Sequence, residues 1–91
     1  MILFAMIKLL DFWAPWCGPC QMMKPVVEEL EKELEGKVEF VQINVDENQE
    51  EAVKYGVMSI PTFVVLKDGQ EIGRKIGFIP KEELRKIIPE A

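Results

Sequence analysis

Residues 11–20 read Asp11-Phe12-Trp13-Ala14-Pro15-Trp16-Cys17-Gly18-Pro19-Cys20. Two different periodicities meet in this stretch. Before it, residues 2–13 are almost continuously apolar, interrupted by Lys8 and Asp11. Such a run suits a strand covered on both faces. After it, Met23, Val27, Leu30 and Leu34 recur at helical spacing, and Glu28, Glu29, Glu31, Lys32 and Glu33 supply a wet face. Ala14-Pro15 breaks the strand. Pro19 has no N–H to donate and fits the first turn of a helix. Both cysteines therefore stand at a strand-to-helix junction. A helix is predicted over 19–34, bent at Pro25 and ended by Gly36 at its C′ position.

Further along, residues 38–45 are rich in β-branched side chains and predict a second strand. Asp46, with Gln49 three residues on, has the form of a capping box. It predicts a short helix running to Tyr55 and closed by Gly56. A third strand is predicted over 62–66. Asp68-Gly69 is a strong hairpin signal, so 71–77 should pair antiparallel with that strand. Pro80 opens a final helix that turns Leu84, Ile87 and Ile88 to the core, and Pro89 stops it. The order is β-α-β-α-β-β-α, an α/β fold with helices on both faces of a four-stranded mixed sheet. No repeat or linker interrupts it, and residues 1–91 read as a single domain.

Composition narrows the chemistry. A net charge of −5 with no Lys/Arg cluster excludes a nucleic-acid footprint. There is no histidine, which excludes Cys–His and Ser–His–Asp nucleophiles and His-ligated metal. The apolar residues 1–10 are too short to span a bilayer. They lack a positive n-region and a small-residue cleavage site, and Lys8 interrupts them, so they read as buried strand rather than leader. Met6 is a second candidate start. The chain is expected to be cytoplasmic and to act away from membranes.

The two cysteines lie three residues apart, too few and too close for a disulfide framework. Disulfide exchange needs a thiolate and a second thiol within reach. A helix N-terminus offers unpaired N–H groups and positive dipole character, which lower a thiol's pKa. Cys17 is expected at the exposed end of the loop and Cys20, one turn in, more buried. Two other readings stay open: half of a zinc site shared between chains, and an inert buried pair. Packing explains the intervening Gly-Pro poorly. Asp11 is a lone acid in an apolar strand. Burial there raises its pKa and suits proton transfer near neutral pH; the alternative is a strand-end Asp facing solvent.

The segment 11–20 resembles the active-site segment of the thioredoxin family, whose version of C-x-x-C is Trp16-Cys17-Gly18-Pro19-Cys20. Pro25 matches the family's helix-kinking proline, Asn44-Val45-Asp46 the end of its next strand, and Ile60-Pro61-Thr62 its cis-proline motif. Gly69 and Gly77 match its late glycines, so the likeness covers 7–88. It implies a thioredoxin-like fold and a protein-disulfide oxidoreductase of the electron-carrier type. The redox centre would be a reversible Cys17–Cys20 disulfide, with no other cofactor and no metal. Cys17 would attack, Cys20 resolve and Asp11 exchange the proton, with Trp16, Gly18 and Pro19 completing the loop. Pro61 would be cis. Ile60 would pair with the substrate backbone as an added strand. Trp16, Met58, Ile60, Gly77 and Phe78 would form an apolar substrate-binding rim, although ordinary loop packing also accounts for Met58 and Phe78. The implied partners are disulfide-containing proteins and a thioredoxin reductase, met by a monomer that serves cell redox homeostasis. An extracytoplasmic oxidoreductase and a non-enzymatic thioredoxin-fold module are the competing readings. The missing leader signal weighs against the first, and the intact Cys17, Cys20, Asp11 and Pro61 against the second.

Three positions depart from the family. Ten residues precede Asp11, so the family's first βα unit is expected to be missing. That leaves 38–45 at an edge that needs protection or a partner. Gln42 stands where a lysine commonly sits beside the buried carboxylate, so nothing opposes the upward pKa shift of Asp11. Phe78 replaces what is often a small residue after Gly77.

Overall fold

Two apolar strands, β1 (Ile7–Trp13) and β3 (Thr62–Lys67), form the middle of one sheet. The structure is a computed structural model that describes residues 6–89; the predicted strand's first residues, 2–5, and the question of Met1 or Met6 fall outside them. The strands β2 (Glu39–Asn44) and β4 (Gln70–Ile76) flank the central pair in the order β2-β1-β3-β4. β1 and β2 are parallel, joined by the helix α1 (Gly18–Glu33), and the other two pairings are antiparallel. Asp68 and Gly69 turn the β3–β4 hairpin with positive φ at both positions, 52° and 85°, the combination a two-residue primed turn requires.

Alternation along β1 divides the core into two layers. Ile7 and Leu9 pack with Met23, Val27 and Leu30 of α1 and with Leu84 and Ile88 at the C-terminal end. Leu84 lies in α3 (Lys81–Lys86), so α1 and α3 share this face. Leu10 and Phe12 point the other way, against Ala52 of α2 (Gln49–Lys54) and Tyr55 just beyond it. Phe12 and Tyr55 meet ring to ring at 5.8 Å. The result is the predicted α/β/α arrangement, four-stranded among the described residues.

The elements differ from expectation mainly at their ends. α1 continues unbroken through Pro25 and caps at Leu34, with the positive-φ Gly36 one residue later than predicted. The capping box at Asp46 does not form. α2 begins at Gln49 behind Asn48, with no side-chain cap. The Asp46 carboxylate is instead engaged by Trp16, and its N–H donates to Asn44 Oδ1. Pro80 opens α3 as predicted, standing at its N-cap position. Among the described residues no helix is long and apolar enough to cross a membrane.

Candidate active site

The site grows from the end of β1. Its last residue, Trp13, hands the chain to a tight turn in which the Cys17 N–H donates to the Ala14 carbonyl at 3.2 Å. Cys17 is then the N-cap of α1, with extended backbone, and its Sγ accepts the Cys20 N–H at 3.2 Å. A sulfur in the N-cap position takes the place of the usual hydroxyl or carboxylate. It sits where the helix offers free donors and positive dipole character. Cys17 and Cys20 are joined in a disulfide, with Cα atoms 5.2 Å apart.

Cys17 is not the exposed member of the pair. Both cysteines are 5% exposed. The loop before Pro61 closes over Cys17, bringing the Ile60 carbonyl to 3.8 Å from its Sγ, and Ala14, Trp13 and Val45 complete the packing. The exposed parts of the loop are Pro15, Trp16, Gly18 and Pro19. A helix-turn argument orders two cysteines by depth along α1, but the covering segment comes from 43 residues away.

Asp11 lies on the β1 face that carries Ile7 and Leu9, the face that packs against α1. It is buried, and burial raises its pKa from 3.8 to about 6. No charge opposes that shift: among the described residues no ion pair includes Asp11, and its β2 neighbour across the parallel register is Gln42. Nearer the cysteines, the indole N–H of Trp13 is buried without a hydrogen-bond partner, and Lys24 Nζ stands 5.4 Å from the Trp13 ring centroid.

The Ile60–Pro61 peptide bond is cis, and Pro61 is buried. Trp16, Met58 and Ile60 line one apolar groove of about 340 Å³, together with Val45, Ala52, Val57 and Ser59. Gly77 and Phe78 lie off this groove. The Gly77 N–H donates to the Pro61 carbonyl at 2.8 Å, and Phe78 is half exposed beyond it. The rim expected from sequence is therefore split by Pro61 into two parts. Asp46 has a side-chain partner in the loop that the capping-box reading does not anticipate. Its Oδ2 accepts the Trp16 indole N–H at 2.9 Å and so sets the orientation of the exposed ring over the groove. Its spacing to Gln49 offered a nearer explanation, and nothing local marks a partner 30 residues away.

A cysteine pair that closes into a disulfide at a helix N-terminus, beside a cis-proline loop and an apolar groove, defines a thiol–disulfide oxidoreductase. The profile of the Thioredoxin family matches residues 4–90. The thioredoxin of Bacillus subtilis is 58% identical over 82 residues, covering 90% of this chain and 79% of that one. The thioredoxin of Staphylococcus aureus is 52% identical over the same shares. Among solved structures, Fasciola hepatica thioredoxin superposes with a TM-score of 0.84 at 44% identity, over 91% of this chain and 78% of that one. The oxidised mitochondrial thioredoxin 3 of Saccharomyces cerevisiae gives 0.82 at 42%, over 89% and 76%. The chain belongs to the thioredoxin family, and it is a protein-disulfide oxidoreductase whose redox-active group is the Cys17–Cys20 disulfide.

Among the described residues no group of three or more His, Cys, Asp or Glu is disposed to hold a metal ion.

Proposed function

We propose that this chain reduces disulfide bonds of other proteins, with Cys17 as the attacking thiol, Cys20 as the resolving thiol and Asp11 as the proton acceptor. The observation that carries the assignment is the N-cap position of Cys17, whose sulfur accepts the Cys20 N–H at 3.2 Å. In the reduced protein the same N–H and the helix N-terminus favour the thiolate at Cys17 over that at Cys20. The Cys17 thiolate attacks one sulfur of the substrate disulfide, forming a mixed disulfide and expelling the other substrate sulfur as thiolate. Cys20 gives its proton to the Asp11 carboxylate and attacks Cys17 Sγ. The second substrate thiolate leaves, and the pair closes as the disulfide, two electrons poorer. A carboxylate with a pKa near 6 accepts that proton at neutral pH and releases it again.

The groove lined by Trp16, Met58 and Ile60 is the docking surface for the substrate chain in this reading, with the Ile60 backbone next to the reacting sulfur. Gly77 and Phe78 form a second contact on the far side of Pro61. The protein would work as a single-domain cytoplasmic carrier, returned to the dithiol by a thioredoxin reductase that supplies two electrons. Its net charge of −5 suits a partner other than nucleic acid.

The roles of the two cysteines separate in one experiment. Reduced Cys20→Ser, mixed with oxidised insulin, should accumulate a covalent mixed disulfide through Cys17, visible on a non-reducing gel and located by peptide mass. Cys17→Ser should form none and should turn over nothing. Adducts in Cys17→Ser and none in Cys20→Ser would reverse the roles.

A further inference from the structure

Met58 is 97% exposed, yet it belongs to the groove whose Ile60 wall touches Cys17. A thioether in that position is open to oxidants and stands where an apolar partner must dock. We propose that Met58 is a modification site for hydroperoxides: oxidation of its thioether to the sulfoxide weakens substrate docking in the groove and leaves the Cys17–Cys20 pair intact. The inference rests on the reading of this groove as the docking surface.

The chemistry is balanced within the pair of reactants. The thioether sulfur attacks one peroxide oxygen, the O–O bond breaks, and the products are methionine sulfoxide and water, or an alcohol from an organic hydroperoxide. Sulfur loses two electrons and the peroxide gains them. In the disulfide form neither cysteine carries a thiolate to compete.

Exposure orders the described methionines. Met6 and Met22 are 63% and 58% exposed, and Met23 is 1% exposed in the core. Met58 is the most accessible of the four, and it is the one that lines the groove. The consequence follows from what surrounds it. Val45, Ala52, Val57 and Ile60 are apolar, the indole N–H of Trp16 is already given to Asp46, and Ser59 is the one other polar side chain in the lining. A sulfoxide dipole introduced there must be desolvated when a substrate docks, and such desolvation opposes binding.

The test treats the oxidised protein with hydrogen peroxide, removes the peroxide with catalase, and quantifies each methionine by peptide mass. Met58 should convert first, and Met23 last. Insulin reduction should then show KM raised roughly four- to fifteenfold, the scale of losing one or two methylene contacts. The rate with cystamine, too small to fill the groove, should not change. A Met6→Leu/Met22→Leu double variant should keep the peroxide response. Met58→Leu should lose it, giving the same KM before and after treatment. Met58→Gln should show a raised KM without any peroxide. Trp16→Ala is measured alongside as an independent probe of docking. If Trp16→Ala raises KM while conversion of Met58 does not, the inference falls and the docking reading stands. If neither raises KM, both fall.

Discussion

Asp11 is a carboxylate in a place made for an apolar side chain, between Leu10 and Phe12 in a central strand. Burial raises its pKa from 3.8 to about 6. The unfolded chain therefore holds fewer protons than the folded one between those two values. Stability from this group is fully present below pH 3.8 and is lost as pH rises through about 6. Asp11→Asn removes the buried charge but still buries an amide. It should stabilise the fold by about 1–3 kcal/mol at pH 7.5, and the gain should vanish near pH 4. Urea melts at the two pH values measure it. Stopped-flow reduction at pH 7.5 should also show slower resolution, because in the proposed mechanism Asp11 takes the proton of Cys20. Equal stability at both pH values would mean that Asp11 is solvated. This residue was legible in the sequence because it interrupts an apolar run. The burial of Cys17 under Ile60 was not, and neither was the hydrogen bond from Trp16 to Asp46. Both depend on segments brought together only by the completed sheet.

Elements whose signals lie within their own residues could be read directly. The Asp68-Gly69 turn and the Met23, Val27, Leu30 stripe of α1 are local patterns, and each appears where it was expected. How α3 is held was not readable, because its partners come from elsewhere in the chain. Gly73 of β4 is one such partner. A Cβ built there would meet Ile87 Cβ at 3.1 Å, closer than side chains normally pack. Gly73→Val should force the end of α3 away from the sheet and cost about 1–3 kcal/mol, read as a lower urea midpoint with an unchanged slope. The other partner is α1. Glu33 bonds Lys81 and Arg85 of α3, and Lys81 also reaches Glu29. The hydrogen bond from Lys81, then that from Arg85, hold the Glu33 carboxyl down from 4.5 to about 2. That contribution is present above pH 4.5 and is lost as pH falls through about 2. Glu33→Gln should lower Tm at pH 7. The difference from wild type should shrink in molar salt, since these groups face solvent. A Tm difference that survives high salt would point to packing rather than charge.

At the scale of the whole molecule the sheet has two edges. β1 and β3 are paired on both sides, whereas β4 and β2 each have one strand neighbour among the described residues, and β2 is the edge that the parallel crossover leaves beside the active-site strand. Its hydrogen bonds follow from the parallel register. The Val45 N–H donates to the Trp13 carbonyl at 2.9 Å. In a parallel pair both backbone groups of a residue point the same way, and the direction alternates along the strand. Val41 and Ile43 therefore face β1, while Phe40 and Gln42 turn their N–H and C=O groups outward. The strand has no proline, and its one charged side chain is Glu39. It thus carries few of the features that commonly keep an open edge from pairing. Native-state hydrogen exchange reads this directly. The amides of Val41 and Ile43 should exchange only on global unfolding, and those of Phe40 and Gln42 through small local openings, orders of magnitude faster. The contrast should hold from dilute to concentrated protein. Protection of Phe40 and Gln42 that grows with concentration would mean that a second copy has added a strand to this edge. Equal protection of all four amides at every concentration would mean that the edge is covered within the chain.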